Sequence, residues 1–78
     1  MAVRATNEMP SDIMETLIEE GLVTDYEQRP RYQRNDYLGW MGRARRPETR
    51  QQHVDQMIDE LRRGDVYMKM DHPASARD

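Results

Sequence analysis

The 78-residue sequence predicts an all-α fold: a small bundle of three to four short helices, with disordered termini and a short extended segment after the last helix. Three observations predict it. Apolar residues recur every three or four positions in separate stretches, Pro and Gly stand where helices would open and close, and strand-like alternation is confined to Val66 through Met70. Composition bounds the rest. With 36% hydrophobic residues, 35% charged residues and a mean hydropathy of −1.12, the core must come from few side chains. Stability is therefore expected at the low end of the usual range of about 5–15 kcal/mol. There is no cysteine for a disulfide or a thiolate metal site. No stretch approaches the roughly 20 apolar residues of a membrane span, and Met1 to Met9 lacks the apolar region of a signal peptide. A cytoplasmic address is the resulting expectation.

Residues 1–8 have no periodicity and read as a disordered lead-in to a single helical domain over residues 9–70, with a disordered tail over 71–78. Pro10 suits the first position of a helix, and Asp12 complements its dipole. Ile13, Met14, Leu17 and Ile18 then form its apolar stripe, with Glu15, Glu19 and Glu20 facing water. Gly21 is a left-handed terminator, after which Leu22 can return to Leu17 in a Schellman-type ending. Thr24 and Glu27 have capping-box spacing and suggest a short helical turn. Arg29 precedes a proline and is pushed out of helical conformation, so the turn stops there and Pro30 opens a third helix.

In that third helix Tyr37, Trp40, Met41 and Ala44 share a face. Gly39 and Gly42 weaken it by about 1 kcal/mol each, so they either permit a close approach or mark an end. Pro47 opens the last helix, whose Val54, Met57, Ile58 and Leu61 give the cleanest helical spacing in the chain, and Arg62, Arg63 and Gly64 close it. The expected core is Leu17, Tyr37, Trp40, Met41, Val54, Met57, Ile58 and Leu61. The extended segment beyond either lies across the helices or pairs with a second copy in a homodimer.

The net charge of −3 conceals a segregation. Residues 1–28 carry one base against seven acids, whereas residues 29–50 carry seven bases against two acids. Arg43, Arg45, Arg46 and Arg50 concentrate this charge around the joint between the last two helices, and Arg45 and Arg46 stand where the next helix dipole is already positive. That is locally unfavourable. Either carboxylates of the first helix or Asp36 offset it, or the four arginines form a site for a partner or an external anion. Catalytic chemistry finds no purchase. His53 and His72 are far apart and match no metal or dyad spacing, and the Asp59 and Glu60 carboxylates read as a solvated face. No catalytic residue, cofactor or metal is expected.

Arg29-Pro30-Arg31-Tyr32-Gln33-Arg34-Asn35-Asp36-Tyr37-Leu38-Gly39-Trp40, followed by Arg45-Arg46-Pro47-Glu48-Thr49-Arg50, resembles the YdeI/OmpD-associated family, also called bacteriocin-protection proteins. The resemblance runs from about Met9 to Met70. It implies a compact helical module, a non-enzymatic accessory role and a link to envelope stress and tolerance of antimicrobial peptides. Where relatives continue with basic residues after Arg50, this chain has Gln51, Gln52, His53 and Asp55.

Charge segregation, the missing catalytic set and this resemblance lead to one functional expectation. The chain is a helical interaction module that docks a protein partner through its arginine-rich turn. A subsidiary idea is that Glu15, Glu19 and Glu20 attract cationic peptides. The alternative is a nucleic-acid-binding module of helix-turn-helix type, disfavoured by the overall acidity and by Gln51, Gln52, Asp55, Asp59 and Glu60 on the last helix.

Overall fold

The computed structural model describes residues 7–68 and 70–71. Four helices follow in order: α1 (Ser11–Glu20), α2 (Val23–Glu27), α3 (Arg31–Gly42) and α4 (Pro47–Arg63). Two-residue strands β1 (Val66–Tyr67) and β2 (Met70–Asp71) then pair antiparallel, with Val66 opposite Asp71 and Tyr67 opposite Met70. The fold is the expected small helical bundle with almost no strand. Residues 1–6 and 72–78, most of the expected lead-in and tail, lie outside the described residues. Asn7, expected in the lead-in, is instead tied to α3: its N–H and Nδ2 donate to Asn35 Oδ1 at 2.7 and 3.0 Å.

Local signals set the helix ends with two corrections. Gly21 adopts φ 70°, and the Leu22 N–H returns to the Leu17 carbonyl at 2.9 Å, the predicted Schellman closure. That closure buries Leu22 and makes it the residue before α2, so Thr24 lies inside the helix and its capping box does not form. Pro10 and Pro30 stand one position earlier than expected, in extended conformation with ψ near 144° and 148°. Their carbonyls accept the first helical N–H groups, from Met14 at 3.1 Å and Arg34 at 3.1 Å. Pro47 does take the first helical turn.

The core gathers Ile13 and Leu17 of α1, Leu22, Tyr26 of α2, Tyr37 and Met41 of α3, Val54, Met57, Ile58 and Leu61 of α4, and Tyr67 of the hairpin. Seven of the eight expected core residues are buried. Trp40 is half-buried at the margin, stacked on His53 with ring centroids 3.7 Å apart and planes 13° from parallel. Ile18 is a second correction: it is 62% exposed, because Ile13 and Leu17 already fill the inward face and Leu22 closes the helix end. The terminal segment differs too. It turns at Met68, where φ is 52°, and pairs with itself, so Val66 and Tyr67 are both buried instead of alternating. The strand pairing among the described residues is thus within the chain.

Candidate functional site

The joint between α3 and α4 is built by two helix ends. Arg43 stays helical at the close of α3, the Ala44 N–H reaches back to the Met41 carbonyl at 3.2 Å, and Arg46 is extended just before Pro47. Arg43, Arg45 and Arg46 are exposed, and among the described residues none of them pairs with a carboxylate. Arg50 behaves differently. Its guanidinium forks onto the Asp12 carboxylate of α1, with bonds of 2.8 and 3.2 Å. That hydrogen bond holds the Asp12 carboxyl below the usual carboxylate range and raises Arg50. The two expectations for the arginines are therefore divided between residues. A helix-one carboxylate neutralises Arg50, while Asp36, the other expected neutraliser, accepts the Tyr67 hydroxyl at 2.7 Å. Arg43 stands at the negative end of the α3 dipole, whereas Arg45 and Arg46 remain at the positive end of the α4 dipole, offset locally by Glu48 in its first turn.

A second constellation was not expected. Arg29, Gln33 and Glu60 are buried, at 4%, 0% and 1% exposure. The Arg29 guanidinium donates to the carbonyls of Val66 and Glu60 at 2.8 Å each and to Gln33 Oε1 at 3.2 Å. Glu60 Oε1 accepts the Tyr37 hydroxyl at 2.5 Å and the Met68 N–H at 2.7 Å, and its other oxygen accepts Gln56 Nε2 at 2.9 Å. Glu60 therefore does not belong to the solvated face on which the spacing placed it. Burial first, and then the bond to Glu60, push the Tyr37 hydroxyl far above its ordinary range. With both carboxylate oxygens spent internally, this network fastens the hairpin to α3 and α4 and presents nothing to an external substrate.

One signal could have found part of it. Gln33 lies four residues before Tyr37 and eight before Met41, so it continues the apolar stripe of α3 with a polar side chain. Arg29 and Glu60 carry no such mark, since their partners are distant in sequence.

Residues 6–64 match the family described as Bacteriocin-protection, YdeI or OmpD-Associated. The chain belongs to this family. The match spans all four helices and ends at Gly64, before the hairpin that supplies the Val66 carbonyl to Arg29. Within this YdeI/OmpD-associated protein, the stretch that carries the resemblance, Arg29 to Trp40, furnishes Arg29, Gln33 and Tyr37 to the buried polar groups and the half-buried Asp36 beside them. The second resembling stretch, Arg45 to Arg50, supplies the exposed turn and the anchor to Asp12. No curated protein and no solved structure matches the chain. Among the described residues, no helix is long and apolar enough to cross a membrane.

Proposed function

We propose that this YdeI/OmpD-associated protein is a non-enzymatic accessory module of the cytoplasm that docks an acidic protein partner through Arg43, Arg45 and Arg46. The observation that carries this reading is the separation of charges at the α3–α4 joint. Arg50 has an internal carboxylate, whereas its three neighbours are exposed without one among the described residues. The adjacent guanidinium groups of Arg45 and Arg46 repel one another and the α4 dipole, and a partner carboxylate removes both penalties. Arg is also well suited to an interface rim, where it forks to carboxylates. The family description supports a link to bacteriocin tolerance.

Co-purification with the wild-type chain and with an Arg45→Glu, Arg46→Glu double variant tests it. A salt-sensitive partner should be lost from the variant while its helical circular dichroism stays intact. The same partner retained by the folded variant would remove these residues from the reading. In a parallel gel-shift series with random duplex, binding that weakens steeply with salt would transfer the turn to nucleic-acid recognition.

A further inference from the structure

At the margin of the core, a cleft of about 410 Å³ runs between α1, α2 and α3, with the buried Tyr26 and Leu38 in its lining. Its size falls in the range of small-molecule sites, roughly 300–1,000 Å³. Met9, Met14, Val23 and Leu38 give it apolar walls, and Arg31 and Arg34, from successive positions of one face of α3, stand in the same lining. We infer that this cleft binds a small amphiphilic monocarboxylate, an unbranched acyl chain whose head is held by Arg31 and Arg34.

Two observations select the head group. Arg34 is half-buried, and its Nε is enclosed without any hydrogen-bond partner, a costly state for a donor. Among the described residues neither Arg31 nor Arg34 forms an ion pair, and Glu27 is the one acid in the lining against these two guanidinium groups. A carboxylate supplies the missing acceptor in the forked geometry that a guanidinium favours.

The body of the ligand follows from what the cleft lacks. Asn7 and Asn35 line it but are committed to each other, with Asn7 Nδ2 donating to both the Asn35 carbonyl and its Oδ1 at 3.1 and 3.0 Å. The Tyr26 hydroxyl turns to the Arg34 carbonyl at 3.5 Å. Little remains to satisfy the amides of a peptide, whereas a hydrocarbon chain asks for no hydrogen bond. A chain of roughly eight to ten carbons suits the space, given that such sites enclose most of their ligand.

The test uses the full chain, labelled with ¹⁵N, titrated with decanoate, decanol and decylamine below their self-association concentrations. Decanoate should bind saturably, move the Arg34 Nε–H resonance, and bind at least about tenfold more tightly than decanol. Arg34→Lys keeps the charge but loses the fork, and should weaken decanoate about tenfold. Arg31 is exposed, so Arg31→Gln preserves packing and should also weaken binding, whereas Arg45→Glu with Arg46→Glu should leave it unchanged. Equal affinity for decanol, an unmoved Arg34 resonance, or preference for a short peptide ending in leucine would each overturn the assignment.

Discussion

Removing the Glu60 carboxylate should nearly abolish the folded state. In Glu60→Ala, the Tyr37 hydroxyl, which is 0% exposed, and the Met68 N–H both lose their acceptor. Each donor left unpaired costs about 1–3 kcal/mol, while the Arg29 guanidinium keeps its bonds to Gln33 and to the Val66 and Glu60 carbonyls. Two such losses amount to about 2–6 kcal/mol, much of what a domain at the low end of the stability range has. Glu60→Gln retains an amide oxygen for Tyr37 and Met68, and its NH2 meets the half-buried Gln56, whose amide must turn over to accept it, so the loss is mainly charge assistance, about 1 kcal/mol for each of two bonds. Asp59→Ala is the control. That side chain is exposed and stands 3.9 Å from Arg63 one turn along, so it should change stability by no more than about 0.5 kcal/mol. Urea titrations read by helical circular dichroism and by Trp40 fluorescence give all three values. If Glu60→Ala stays within about 1 kcal/mol of wild type, or Asp59→Ala costs as much, the reasoning fails.

The same network predicts an alkaline limit. Burial raises both Tyr37 and Tyr26 above the ordinary tyrosine range near pH 10, so the fold favours their neutral forms. Their contribution is fully present below about pH 10 and is lost above it, as the unfolded chain releases protons the folded chain keeps; each group limits at about 1.4 kcal/mol per pH unit. Urea midpoints measured upward from neutral pH should fall accordingly, and Tyr37→Phe should flatten the decline. Glycine substitutions should separate conformation from space. Nothing lies within 4 Å of a Cβ added at Gly21 or Gly42, but only Gly21 has a positive φ, of 70°. Gly21→Ala should cost about 1 kcal/mol and Gly42→Ala should gain up to about 1 kcal/mol, both read as thermal midpoints.

Helix positions were legible because their signals are short-ranged. Gly21 and Gly64 end helices through backbone freedom within one turn, and the stripe of Val54, Met57, Ile58 and Leu61 follows directly from the helical period. The arginine turn was legible for the same reason, as a run of charge at a joint between two such helices. Which arginine is neutralised was not, because Asp12 reaches Arg50 across 38 positions of chain. Ile18 shows the complementary failure: periodicity marks an apolar face wider than the core has room for.

From its residues alone, then, this chain determined a bundle of three to four short helices, their approximate ends, a core Tyr37 and a basic run at a bend, and left open whether that run is neutralised within the chain. Tertiary structure decided that Arg29, Gln33 and Glu60 lie inside, and that the last segment closes on itself as a hairpin. The reason is physical. A buried charge is tolerable only where its partners already stand, and those of Arg29 are brought to it from 31 and 37 residues away by the packing of α3, α4 and the hairpin.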